Sequence, residues 1–505
     1  MAFDFAERSG GASGTDFHTL IVGTGFAGLG MAIKLKEEGQ DDFVILERAA
    51  DVGGTWRDNN YPGCACDVQS HLYSFSFEQN PDWSRMFAKQ GEIWAYLRAC
   101  SEKHGLAPHL RFGADVTSAR WNDELQKWSV STRDGRTFTG RVLISGMGGL
   151  SNPVIPDLKG KSKFKGAQFH SAQWRHDVDL SGKRVAVIGT GASAIQFVPQ
   201  IQKLAGRVDL YQRTPPWIVP KPDRAISAIE RRLFKRFPLL QNLYRKGIYW
   251  MLESRILGFT VDPRLMKLFE VVARSHIKRQ VKDPVLRAKL TPDYTIGCKR
   301  ILISDDYYPA LTQANVEVIA DGVREIRANS VVADDGTERE VDVIIWGTGF
   351  QTADPVPRGV FFGRNGIDIL DAWKNGAEAY KGTSVAGFPN LFFIVGPNTG
   401  LGHSSMVFMI ESQVGYISDA LKTMRQRSVA TVEVRPEALR EYNDRLQSRI
   451  GKAVWNTGGC QSWYLDRNGR NVTLWPGATW QFRRQTRRFD IERYVSEPVK
   501  VHGAA

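Results

Sequence analysis

The sequence predicts an α/β fold made of two Rossmann-like dinucleotide-binding domains, with a helical insertion in the second. Three observations predict it. An apolar strand enters a glycine turn and a helix over residues 20–39, and the same strand and turn recur over residues 184–194. A basic, helix-like stretch from about residue 221 to 287 then separates two strand-rich regions.

Length and composition bound this reading. A chain of 505 residues has room for about two to four domains. Its 67 basic and 54 acidic residues leave a net charge of 67 − 54 = +13, which suits an anionic membrane surface or phosphate-bearing cofactors. No helix-turn-helix, zinc-finger or RNA-binding signature is present, so no nucleic-acid partner is expected. Cys64, Cys66, Cys100, Cys298 and Cys460 have neither metal-ligand spacing nor a Cys-x-x-Cys pair. From them we expect no metal, no redox pair and a reducing cytoplasm. The first sixteen residues read as a Gly/Ser-rich arm without the apolar core of a signal peptide. No apolar run is long enough to span a membrane.

In the first turn, Gly23-Thr24-Gly25-Phe26-Ala27-Gly28, the first glycine allows the bend. The second lets a pyrophosphate approach, and the third brings helix close to strand. The next strand ends in Glu47, whose carboxylate can hold ribose hydroxyls. The second turn is Gly189-Thr190-Gly191-Ala192-Ser193-Ala194, and its following strand ends in Gln212-Arg213-Thr214, with no carboxylate. A carboxylate repels a 2′-phosphate, whereas Arg213 and the Thr214 hydroxyl would bind one. The first site is therefore read as suited to FAD and the second to NADPH.

Between the turns, residues 53–67 form a long loop rich in glycine, proline and aromatics, a composition typical of functional loops. Residues 237–259 are amphipathic. We assign their apolar face to core packing, with a substrate entrance or peripheral membrane contact as the other uses. Gly347-Thr348-Gly349-Phe350 marks a return to the first domain. A later helix from about residue 406 can stabilise negative charge at its N-terminus. The expected boundaries are an arm over 1–16, FAD-binding segments over 17–150 and 386–505, and NADP-binding segments over 151–220 and 298–385. The helical insertion occupies 221–297.

These residues together resemble the Baeyer-Villiger monooxygenases, a class B flavoprotein family. The resemblance rests on Phe164, Gly166, His170 and Trp174 at the family's fingerprint spacing, and on Gly53, Gly54, Trp56, Tyr61, Pro62, Gly63 and Asp67 in its early motif. It implies Arg300 as the catalytic arginine, Asp67 as its carboxylate partner, and Lys299 with Arg213 and Thr214 as binders of the NADPH phosphate. It also places Gly54, Thr55, Trp56, Tyr73, Val116 and Met406 near FAD, Trp463 near the nicotinamide cofactor, and His170 at a hinge. The implied reaction uses NADPH and O2 to insert oxygen beside a ketone carbonyl through a C4a-peroxyflavin, giving an ester or lactone. Arg175 stands where the family usually has Pro or Asp. That departure keeps open a flavin-containing monooxygenase oxidising sulfur or nitrogen. A flavin-dependent disulfide reductase is disfavoured by the missing Cys-x-x-Cys. A non-catalytic nucleotide or membrane binder would leave both long motifs unexplained.

Overall fold

The computed structural model describes residues 15–351, 356–460 and 462–500. The expected N-terminal arm lies, up to residue 14, outside them, and the first strand already begins at Asp16. Six strands open the first sheet: β1 (Asp16–Val22), β2 (Phe43–Leu46), β3 (Leu110–Arg111), β4 (Val116–Asn122), β5 (Lys127–Thr132) and β6 (Thr137–Ser145). β3, β2, β1 and β6 lie side by side in parallel, while β4 and β5 extend the sheet as an antiparallel meander. Leu20, Ile21, Val44, Ile45, Leu143 and Ile144 on its central strands are fully buried. Continuous apolar runs of this kind belong to parallel strands covered on both faces. Helices α1 (Phe26–Glu37), α2 (Thr55–Asp58) and α3 (Gln90–Lys103) fill the links between β2 and its neighbours.

The second sheet is wholly parallel, in the order β12, β9, β8, β16, β7. Its strands are β7 (Ala167–His170), β8 (Arg184–Ile188), β9 (Arg207–Tyr211), β12 (Val316–Ile319) and β16 (Val343–Trp346), and α4 (Ala194–Ile201) joins β8 to β9. The connection from β9 to β12 carries the insertion. It contains β10 (Ile218–Val219), α5 (Ala228–Arg236), α6 (Pro238–Glu253), α7 (Met266–Gln280), α8 (Pro284–Lys289), β11 (Leu302–Ile303) and α9 (Tyr307–Leu311). A small meander of β13 (Val323–Ile326), β14 (Ser330–Ala333) and β15 (Glu338–Glu340) precedes β16.

The chain then returns to the first sheet through β17 (Phe361–Phe362), which pairs with β4, and β18 (Leu391–Phe393), which pairs with β6. Residues of α10 (Ile369–Ala372) and Trp373 pack into the same core as β4 to β6. The chain thus rejoins the first sheet after the Gly347–Phe350 crossover and before the expected boundary at 386. α11 (Met406–Gln426) packs beside α1, where the Ser418 hydroxyl donates to Glu38 (2.5 Å).

The insertion meets the expected use of its apolar residues only in part: Ile248, Leu252, Ile256 and Phe259 pack into the core, and a second apolar line stays outside. The inward side of α6 carries Gln241, Arg245 and Glu253 beside Ile248 and Leu252, while Leu239, Leu240, Leu243, Trp250 and Met251 are exposed. The buried polar groups are all bonded. Gln241 donates to the Asn80 carbonyl (2.8 Å), Arg245 to the carbonyls of His71 (2.6 Å) and Ser74 (3.0 Å), and Glu253 accepts from Thr479 N (2.7 Å). These satisfied polar contacts, together with Phe234 and Tyr244 against His71, hold the insertion down. The sequence period shows that a helix is two-sided but not which side faces in.

Candidate active site between two glycine turns

The first turn is shaped by close backbone approach. Gly23 has φ +96°, and a Cβ there would lie 2.8 Å from the Gly146 carbonyl oxygen; one on Gly28 would lie 1.9 Å from that of Gly23. Around Gly25, by contrast, only the Gly54 Cα comes within 4 Å, at 3.9 Å. The outer face of the turn is thus open at the N-terminus of α1, a geometry that fits a pyrophosphate. Glu47 ends β2 as a buried carboxylate, accepting from Thr24 N (3.1 Å), Thr24 Oγ1 (2.5 Å) and Ala49 N (2.9 Å), with Arg57 at 3.1 Å. Val116 starts β4 near the same end, since Ala114 N donates to the Glu47 carbonyl (2.8 Å).

The other expected flavin-side residues cluster. Gly54 and Thr55 open α2, the Trp56 indole donates to the Tyr73 hydroxyl (3.1 Å), and Phe26 packs edge-on against Tyr73 at 5.3 Å. Met406 is the first residue of α11, whose cap, Ser405, accepts from Val407 N (3.3 Å).

The second turn repeats the first. Gly189 has φ +106°, and its Cβ would meet the Gly347 carbonyl oxygen at 2.4 Å, while a Cβ on Gly191 would meet nothing within 4 Å. The Thr190 hydroxyl donates to the Thr214 carbonyl (3.3 Å), tying the turn to the end of β9, and Ala192 and Ser193 lead into α4. Arg213 is exposed, and neither it nor Lys299 has a carboxylate within salt-bridge distance among the described residues. Burial, with the nearby Arg213 charge, holds the Lys299 ammonium below its usual range. Two neighbouring cations, neither in a salt bridge among the described residues, fit a phosphate monoester.

At the junction of the domains, the Arg300 guanidinium donates to one Asp67 carboxylate oxygen through Nη2 (2.6 Å) and Nε (3.1 Å). Each side chain keeps about a third of its surface, 34% and 30%, so the pair faces a cleft rather than a sealed core. Burial opposes charge on Asp67, yet the guanidinium holds the carboxyl below its ordinary range; the carboxylate in turn raises Arg300. Asp67 is fixed by flanking backbone bonds, Cys66 N to Ala88 O (2.9 Å) and Ser70 N to Met86 O (2.8 Å). Leu302 N bonds the Trp217 carbonyl (2.9 Å) and fixes the Arg300 strand.

Several features of this junction are absent from the sequence reading. Lys221 and, from the insertion, Arg255 add positive charge near Asp67. Tyr464 is buried and its hydroxyl has no hydrogen-bond partner among the described residues; burial raises it to about 12 against the pull of Arg300. Cys298, directly before Lys299 and Arg300, forms a disulfide with Cys460, three residues before Trp463. The bridge runs against the reducing surroundings expected from the cysteine pattern. The partners are 162 residues apart, and spacing cannot foresee a tertiary encounter. Cys64, Cys66 and Cys100 are free and buried. Trp463 is partly exposed, with its ring 4.5 Å from that of Tyr464.

The fingerprint residues sit apart from Asp67 and Arg300, on the edge of the second sheet. A Cβ on Gly166 would lie 2.2 Å from the Asp342 carbonyl oxygen, so the Phe164 turn requires glycine. His170 ends edge strand β7, fully buried, with Nδ1 accepting from Ala172 N (3.1 Å). Trp174 packs edge-on against Phe169 (5.1 Å). Arg175 is exposed and pairs with Asp177 on the surface.

Two open glycine turns at parallel strand ends, with a fixed arginine-aspartate pair between them, define a two-dinucleotide oxidoreductase. The profile of the Flavin-binding monooxygenase-like family matches residues 18–358. A Baeyer-Villiger monooxygenase of Pseudomonas aeruginosa is 60% identical over 475 residues, 94% of this chain and 90% of that protein. Another of Streptomyces coelicolor is 52% identical over 477 residues, covering 94% and 91%. Among solved structures, cyclohexanone monooxygenase from Rhodococcus sp. Phi1 bound to NADP+ superposes with a TM-score of 0.86 at 27% identity, covering 96% of this chain and all (100%) of that one. The chain belongs to the flavin-binding monooxygenase family, in its Baeyer-Villiger branch. No helix among the described residues is long and apolar enough to cross a membrane.

Proposed function

We propose that the chain is an NADPH- and O2-dependent monooxygenase that converts a ketone to an ester or lactone, with FAD at the first turn and NADPH at the second. One oxygen atom enters the product, the other leaves as water, and NADPH supplies two electrons. When bound, FAD supplies the oxygen-activating chemistry. The observation that carries the reading is the Arg300–Asp67 pair at the junction.

Arg300 is a permanent cation, so it holds negative charge on oxygen as it develops during attack on a carbonyl. Asp67 accepts two guanidinium hydrogens, aims the remaining donors into the cleft and offsets the charge. Lys221 and Arg255 keep the region positive. The unpartnered Tyr464 hydroxyl is a further donor for a carbonyl oxygen. Glu47 and the Gly23–Gly28 turn hold the flavin nucleotide; Arg213, Thr214 and Lys299 hold the NADPH phosphate; His170 serves as the hinge of the linker. The relatives fit the substrate class: one neighbour is ε-caprolactone-bound cyclohexanone monooxygenase and another is a steroid monooxygenase. The reading includes a cytoplasmic location, against which the Cys298–Cys460 bridge is the single opposing feature. Arg175, paired on the surface, gives no ground for preferring sulfur or nitrogen oxidation.

In the decisive experiment, holoenzyme, NADPH and O2 meet a mixed panel of ketones, sulfides and amines, with product connectivity read by mass spectrometry and NMR. Arg300→Ala should keep FAD and accept hydride yet lose ester formation by about a hundredfold or more. Ester formation at the wild-type rate by that variant would overturn the assignment.

A further inference from the structure

We infer that the outer face of the α5–α6 hairpin docks on an anionic phospholipid surface. On a helix of 3.6 residues per turn, Leu239, Leu243, Lys246 and Trp250 fall on one line, with Leu240 and Met251 beside it. That line faces solvent: Leu239 is 71% exposed, Trp250 59% and Leu243 55%. Ordinary surface helices keep their apolar residues inward; α6 buries Ile248 and Leu252 but carries a second apolar line on its outer side. Here the inward line holds Gln241 and Arg245, and their hydrogen bonds to Asn80, His71 and Ser74 give that orientation a definite register. The exposed apolar stripe is therefore a property of the docked helix, not of a helix rotated out of place.

The charges around the stripe identify its occupant. Arg232 and Arg236 on α5 and Lys246 on the stripe itself are exposed, with no ion pair among the described residues, whereas Lys235 is held by Asp82 (2.8 Å) and Glu230 by Arg224 (2.6 Å). The exposed face thus presents uncompensated positive charge alone. A second copy meeting the same face would bring these like charges together, whereas an anionic headgroup layer neutralises them. Leucines and a tryptophan flanked by arginine and lysine have the composition of a helix lying in a bilayer interface. A 16-residue helix with buried polar anchors lies on such a surface and does not enter it as a span.

The test is co-sedimentation of the holoenzyme with vesicles of equal parts phosphatidylglycerol and phosphatidylcholine, against vesicles of phosphatidylcholine alone. Binding to the first and not the second, weakened by salt, is expected. The triple variant Arg232→Glu, Arg236→Glu, Lys246→Glu should lower the partition coefficient on the order of a hundredfold. The triple variant Leu239→Ser, Leu243→Ser, Trp250→Ser should abolish binding, and both should retain FAD and wild-type turnover because none of these residues touches the proposed site. Absence of binding to anionic vesicles would sink the proposal. So would unchanged binding by the serine variant, or a dimer in light scattering that the serine variant turns to monomer, which would make the face a self-association surface.

Discussion

The two glycine turns are built alike and finished differently. Gly23 abuts the carbonyl of Gly146, and Gly189 that of Gly347; both need positive φ, and both lie beside a glycine crossover at the end of the neighbouring strand. The first site is completed locally, since Glu47 and Thr24 are 23 residues apart and bonded. The second is assembled from afar. Arg213 ends β9, Lys299 and Arg300 arrive after the whole insertion, and a disulfide ties them to residue 460. One nucleotide site is thus a property of a supersecondary unit, and the other depends on long-range folding.

That contrast is broken most completely at the local site. Gly28→Val places a Cβ 1.9 Å from the Gly23 carbonyl oxygen, where rigid backbone cannot yield, so strand and helix must separate. We expect protein purified without FAD and unable to regain it, scored by absorbance of released flavin. Full flavin occupancy would remove the helix-to-strand contact as the basis of the site.

At the assembled site, the covalent tie comes next in size. The Cys298→Ser variant frees a loop of more than a hundred residues, and the expected cost is about 2–4 kcal/mol in unfolding free energy. Denaturant unfolding of the wild type with and without reductant should show the same loss. Unchanged midpoints would mean the bridge contributes nothing to holding Lys299 and Arg300.

How much of this was legible follows from the same distinction. Strand, glycine turn, helix and terminal Glu47 or Arg213 are contiguous, and each has a local steric or electrostatic reason, so both turns can be read from the sequence. The Asp67–Arg300 pair was reached only through family resemblance, because 233 residues separate the partners. Nothing local announced Tyr464 or Arg255 beside it. The Cys298–Cys460 bridge, across 162 residues, has no local signal for the same reason. On α6 the failure differs: periodicity found the two faces, but the bonds from Gln241 and Arg245 that decide which faces inward are tertiary.

Arg213 tests the electrostatic half of the contrast. Its guanidinium is exposed and has no ion pair among the described residues, so Arg213→Ala breaks no salt bridge within the fold; it removes the contact to the ligand and relieves the depression of Lys299. A charge-assisted contact to phosphate is worth about 1.5–3 kcal/mol, a rise in KM for NADPH of roughly 10- to 100-fold. NADH, lacking the phosphate, should change by about twofold at most. Equal losses for both would point to damage of the fold instead.

The smallest effect is a pH dependence that only the assembled site should show. Burial, with the Arg213 charge, depresses Lys299, so its ammonium loses its proton at lower pH than an ordinary lysine. A bound phosphate favours the charged form, and affinity for NADPH must therefore fall as pH rises through the pKa of the free enzyme, by no more than about tenfold per pH unit for one proton. Arginine keeps its charge over this range, so Lys299→Arg should flatten the alkaline rise in KM for NADPH while leaving the NADH profile as it was. The measurement is KM against pH for both cofactors in both proteins. Superimposable NADPH profiles would show that Lys299 does not carry the phosphate, and that Arg213 alone separates the second site from the first.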